Sequence, residues 1–113
     1  MEPPHRVTVA PEALVEVVRI AAWWREHRPA APRMFQDELD DALVLIAENP
    51  EMGTRASSRR IGNARVVELR RSRYRLFYQV LPLTREVLVV HVRHGSRRPL
   101  PGRRRSPPAP ASG

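Results

Sequence analysis

Apolar residues recur at helical spacing in the first half of the chain and at a spacing of two in the second. Arg6-Val7-Thr8-Val9-Ala10 is a short β-type run, and Pro11 follows it at the position that favours a helix start, with Glu12 beside it. The spacing predicts a helix over residues 11–28. Ala13, Val17, Ile20 or Ala21, and Trp24 form its apolar stripe, broadened by Leu14, Val18 and Ala21. Trp23 and Trp24 are adjacent and point in different directions, so at least one belongs at the edge of the core. A second helix is predicted over residues 32–48, with Phe35, Leu39, Ala42 or Leu43, and Ile46 on its buried side. Gln36, Asp37, Glu38, Asp40 and Asp41 mark its wet side, and Asn49-Pro50 ends it. The short connection over residues 27–32 predicts an antiparallel helix hairpin.

Residues 51–63 lack a clear period and read as a loop, with room for a short strand at its end. Three strands follow, over residues 64–70, 73–80 and 86–93. They predict an antiparallel meander, with the N-terminal run as a fourth strand. The expected fold class is therefore α+β: an N-terminal strand and an antiparallel two-helix hairpin packed on a roughly four-stranded antiparallel sheet. In the middle strand Tyr74, Leu76 and Tyr78 share one face, and Arg73, Arg75, Phe77 and Gln79 the other. In the last strand Val87, Val89, His91 and Arg93 alternate with Leu88, Val90, Val92 and His94. Both faces are partly apolar, so alternation alone does not name the core face. A helix hairpin covers one face only, which leaves the other as the candidate working surface. The domain is expected to span residues 1–98, with residues 99–113 a disordered tail rich in proline and arginine.

The 113 residues suffice for one domain. No apolar stretch is long enough for a membrane span, and the start Met1-Glu2-Pro3-Pro4 does not resemble a signal peptide. Cysteine is absent, which makes the cytoplasm the expected compartment. The net charge is +8, and every Lys or Arg counted in it is arginine. Codon bias accounts for the choice of arginine but not for its placement. Residues 1–54 carry a net charge of −5 and residues 55–113 one of +13. That split predicts a basic surface on the C-terminal half and an acidic partner.

The element order, with particular motifs, resembles the ParE/RelE superfamily of toxins from type II toxin–antitoxin systems, which includes the plasmid-stabilisation proteins. The motifs are Pro11-Glu12-Ala13, Phe35-Gln36-Asp37-Glu38-Leu39, Asn49-Pro50-Glu51-Met52-Gly53, Arg73-Tyr74-Arg75-Leu76-Phe77-Tyr78-Gln79-Val80 and Val90-His91-Val92-Arg93-His94-Gly95-Ser96-Arg97-Arg98. The resemblance implies a growth-arresting toxin neutralised by a cognate antitoxin from a neighbouring gene. RelE-like members are ribosome-dependent mRNA endoribonucleases, and ParE-like members inhibit DNA gyrase. Arg75 falls where the ribonuclease branch keeps an arginine, but the ParE branch has one there too. The ending His94-Gly95, with no tyrosine after Tyr78, resembles ParE. It makes gyrase inhibition the leading expectation, ahead of mRNA cleavage and of a non-catalytic binding module.

If the chain cleaves RNA, His94 is the candidate acid or base, with Arg75 and Arg93 holding phosphate. His91 and His94 have opposite parity, which argues against their acting as a pair. Arg59, Arg60, Arg70, Arg73, Arg75, Arg97 and Arg98 are the candidate target or phosphate contacts. Trp23, Trp24 and Arg73 are the candidate antitoxin contacts. Tyr74 and Tyr78 suit core packing better than base stacking. No metal site, cofactor or small-molecule substrate is expected, because the four histidines show no ligand spacing and no Gly-rich nucleotide loop occurs.

Overall fold

The computed structural model describes residues 2–56 and 62–95. Strand β1 (Arg6–Val9) leads into helices α1 (Pro11–His27) and α2 (Met34–Glu48). A 3-10 turn (Pro50–Met52) and strands β2 (Thr54–Arg55), β3 (Ala64–Leu69), β4 (Tyr74–Leu81) and β5 (Glu86–His94) follow. Pro11 opens α1 directly after the extended Ala10, as expected of a residue whose missing N–H costs nothing there. Helix α2 starts two residues later than expected. Pro32 instead sits in a turn that the Met34 N–H closes on the Ala31 carbonyl.

The strand order is β1-β5-β4-β3-β2. The β3–β4–β5 meander is antiparallel, as expected, whereas β1 pairs with β5 in parallel register. A fifth strand, β2, lies near the start of the 51–63 segment rather than at its end. The expected tail, its boundary at residue 98, and Arg59, Arg60, Arg97 and Arg98 lie outside the described residues.

The hairpin covers one sheet face. Ala13, Ile20 and Trp24 of α1 and Phe35, Leu39, Ala42 and Ile46 of α2 pack against Leu69, Tyr74, Leu76, Tyr78, Val87, Val89 and Val92. Val17, Ala21 and Leu43 pack partly buried at its margin. Leu14 and Val18, expected to broaden the α1 stripe, are 52% and 59% exposed. Each is rotated by about 100° from the buried residue before it, Ala13, or from partly buried Val17.

The strand alternation fails at one point. Phe77 pairs with His91, but Tyr78 pairs with Val89, so Val90 is an unpaired bulge residue. Val87 and Val89 above it and Val92 and His94 below it therefore share the helix-covered face. Glu86, Leu88, His91 and Arg93 lie on the outer face with Arg75 and Phe77. Parity without a bulge would have grouped Val89 with His91 and Arg93.

Tyr78 ties the far end of the sheet to the loop after α2. Its hydroxyl donates to the Pro50 carbonyl at 2.7 Å and accepts from the Gly53 N–H at 3.0 Å. Arg65 donates to the Gly53 carbonyl at 2.7 Å. A Cβ on Gly53 would lie 2.6 Å from the Tyr78 hydroxyl, so only glycine fits there without displacement.

Gly53→Ala should destabilise by about 1–3 kcal/mol through overpacking, and Tyr78→Phe by about 1–3 kcal/mol through lost hydrogen bonds. The double variant should lose less than the sum, because the hydroxyl met by the new methyl is gone. Chemical denaturation measures all three, and strict additivity would overturn this reading. Burial also pushes both tyrosine hydroxyls above their ordinary pKa of 10.0, against the lowering effects of Trp24 and Arg28 on Tyr74 and of Gly53 and Arg65 on Tyr78. A raised folded-state pKa contributes stability below the unfolded value, lost as pH rises through the folded value. With no lysine or cysteine in the chain, unfolding should accompany phenolate absorbance above pH 10.0. Tyrosinate formation at or below that pH in the native state would contradict it.

Candidate functional site

At the end of the sheet formed by the β3–β4 turn and the C-terminus of β5, basic side chains gather on both faces. The turn, residues 70–73, is short enough to force Arg73 into the left-handed region, with φ 67°. Arg73 N–H donates to the Leu69 carbonyl at 2.7 Å, and Gly95 N–H to the Arg73 carbonyl at 2.7 Å. A single carboxylate holds the turn from the helix side. Glu38 of α2 accepts from Arg71 N–H, Ser72 N–H and Ser72 Oγ–H, each at 2.8 Å. Glu38 is thus no part of a wet helix face. It sits three residues after buried Phe35 and four before buried Ala42, which places it on the packed side of α2.

Glu16 does the same work for β5. Strand β1 ends opposite Val89, which leaves the next stretch of the β5 edge without a neighbouring strand. Glu16 of α1 accepts from Val92 N–H at 2.8 Å, and His91 Nδ1 lies 3.3 Å from its other oxygen. Glu16 is three residues after Ala13 and four before Ile20, so it too lies on a buried stripe. Apolar pattern alone passes over such residues; a carboxylate in phase with the stripe is the signal that finds them.

The predicted site residues divide between the two faces. Arg75 and Arg93 are cross-strand partners on the outer face, next to the Phe77–His91 pair. Glu68, opposite Arg75 on β3, reaches its Nε only at 3.9 Å. Arg70 is exposed just beyond the end of β3.

His94 lies on the helix-covered side, with its ring edge-on to Tyr74 at 5.1 Å. It joins Trp23, Trp24, Arg28, Arg71, Ser72, Arg73 and Tyr74 around a cleft of about 240 Å³. The sheet therefore separates His94 from Arg75 and Arg93, and brings it together with Trp23, Trp24 and Arg73. Trp24 belongs to the core, and Trp23 packs half-buried beside it. Trp23 stacks on His27 at 4.6 Å, and the Arg28 guanidinium lies 5.0 Å from the Trp23 ring and 5.8 Å from the Trp24 ring. Tyr74 and Tyr78 are both core residues. Among the described residues, no group of three or more His, Asp or Glu side chains could hold a metal ion, and no helix is long and apolar enough to cross a membrane.

Glu38→Ala should cost about 1–3 kcal/mol, because it strips three donors of their acceptor. Hydrogen exchange at the Arg71 and Ser72 amides should accelerate before exchange in β4 does. Unchanged protection of those two amides would rule out the anchoring role. Trp24→Ala should destabilise the free protein by about 3–5 kcal/mol, and Trp23→Ala by clearly less, as thermal unfolding would show.

Over residues 7–99 the sequence matches the family described as ParE toxin of type II toxin-antitoxin system, parDE. No curated protein matches it. Among solved structures the chain is similar to the isolated Escherichia coli RelE toxin, with 26% identity and a TM-score of 0.55, over 83% of this chain and 87% of that one. The intact E. coli RelBE toxin–antitoxin complex gives 25% identity and a TM-score of 0.56, over 82% and 99% of the two chains. The RelBE2 complex of Mycobacterium tuberculosis, at 18% identity and a TM-score of 0.55 over 81% and 99%, shares the fold.

Proposed function

Because this chain belongs to the ParE toxin family of type II toxin–antitoxin systems, we propose that it arrests bacterial growth by docking the outer face of its sheet on the phosphates of ribosome-bound mRNA. The observation that carries this reading is the Arg75–Arg93 pair. Like charges directly opposite on neighbouring strands are unfavourable, and the exposed Glu68 compensates little at 3.9 Å. A phosphate between the two guanidiniums removes the repulsion and accepts charge-assisted hydrogen bonds from both. The likeness to RelE at 26% identity supports the same target.

On that face the imidazole in reach is His91 rather than His94. With Nδ1–H donated to Glu16, its Nε2 is left as an acceptor, suited to taking a proton from a 2′-hydroxyl. The 2′-oxygen then bonds to the adjacent phosphorus, the P–O5′ bond breaks, and water protonates the leaving 5′-oxygen, giving a 2′,3′-cyclic phosphate and a 5′-hydroxyl with no cofactor. A second reading, inhibition of DNA gyrase, is favoured by both tyrosines being core residues and by His94 facing away from the arginine pair. On either reading a cognate antitoxin binds and neutralises the chain, as the E. coli RelBE complex illustrates for its own toxin.

Paired assays of translated mRNA and gyrase supercoiling test the proposal. Codon-phased cuts with supercoiling intact are expected. Arg75→Ala with Arg93→Ala should reduce cutting roughly ten- to hundredfold, and His91→Gln about a hundredfold or more. Lost supercoiling with intact mRNA would transfer the function to gyrase. Silence in both assays, without growth arrest, would leave a binding module.

A further inference from the structure

The cleft between the C-terminal end of α1 and the β3–β4 turn lies on the other side of the sheet from Arg75 and Arg93, and the proposed chemistry does not use it. Three of its lining residues, Arg28, Arg71 and Arg73, carry guanidiniums. Among the described residues, none of the three takes part in an ion pair. The nearby carboxylate, Glu38, accepts from the turn's N–H groups and the Ser72 hydroxyl rather than from these guanidiniums. Trp24, a core residue 8% exposed, forms an apolar wall of the cleft.

We propose that this cleft is a carboxylate pocket, which takes one acidic side chain from a peptide segment of a protein partner. Its volume of about 240 Å³ lies below the roughly 300–1,000 Å³ typical of small-molecule pockets and suits a single side chain better than a nucleotide. The walls match a Glu or Asp flanked by aliphatic residues. The Trp23, Trp24 and Tyr74 rings receive the methylenes and neighbours, while the guanidiniums receive the oxygens. The Arg28 guanidinium lies 5.0 and 5.8 Å from the two indole centroids, within cation–π reach on the wall of the cleft. The proposal deepens the antitoxin reading and rests on it for the partner. It makes Trp23, Trp24 and Arg73 one pocket and adds Arg28, Arg71 and Ser72 to them.

The chain has two tryptophans, and both line the cleft, so intrinsic fluorescence reports on it alone. The full chain is titrated with a capped pentapeptide, Ala-Leu-Glu-Leu-Ala, and with its Gln counterpart. Inorganic phosphate and a short oligouridylate serve as competitors. The Glu peptide should shift the emission saturably, and the Gln peptide should bind at least tenfold more weakly. Arg28→Gln with Arg73→Asn should cost the Glu peptide at least tenfold in affinity; asparagine suits the left-handed turn position, and circular dichroism verifies the fold. Equal response to both peptides, or none, overturns the pocket. Displacement of the peptide by oligouridylate at lower concentration overturns it in favour of a nucleic-acid site. Growth arrest is read separately. Arrest without peptide binding sinks the pocket alone, and peptide binding without arrest sinks the toxin reading alone.

Discussion

Val90, the one residue of β5 without a partner on β4, sets which side chains of that strand lie beneath the helices. Above it the strand presents Val87 and Val89 to the hairpin, and below it Val92 and His94. A strand without the bulge would have turned His91 and Arg93 inward and Val92 outward. Burying the Arg93 guanidinium without a partner would cost several kcal/mol, more than the lost valine contacts. The bulge lets one strand serve an apolar core at both ends and still place cations outside. The Arg75–Arg93 pair and the cleft around His94 both depend on it.

Polar ties then hold the two layers in one relative position. Glu16 completes the edge of β5 where β1 stops, Glu38 gathers the β3–β4 turn, and the Tyr78 hydroxyl seizes the loop after α2. Each is a helix or sheet side chain that satisfies backbone donors or acceptors left without a partner at a strand edge, in a turn or in a loop. Net, such bonds add little more than they cost in desolvation, but leaving their donors unmatched would be expensive. The apolar core therefore supplies the stability, and these three groups select the geometry. Glu38 also fixes where Arg71 and Arg73 stand, since it grips the turn that carries them.

The charge split along the chain becomes a spatial division. The acid-rich N-terminal half forms the hairpin, and two of its carboxylates are spent inward on the sheet. Arg70, Arg71, Arg73, Arg75 and Arg93 lie at one end of the sheet. Arg75 and Arg93 stand on the outer face, and Arg71 and Arg73 line the cleft of about 240 Å³ on the other.

Both helices, the three long strands, their order and most of the core were legible in the sequence. Hydrophobic period is a local property, written within each segment. Phe35, Leu39, Ala42 and Ile46 lie buried as their spacing predicts. Alternation put Tyr74, Leu76 and Tyr78 on one face, and the packed hairpin made that face the core. The motifs sufficed for the superfamily. Tertiary structure alone decided what depends on residues distant in the chain. The parallel pairing of β1 with β5, the bulge at Val90 and the separation of His94 from Arg75 are facts of register, and register is set between strands. Glu16 and Glu38 look like ordinary solvated acids until the sheet supplies donors 76 and 34 residues away. A local pattern shows which side of a helix is buried, but only the packed layers show what a carboxylate on that side has to hold.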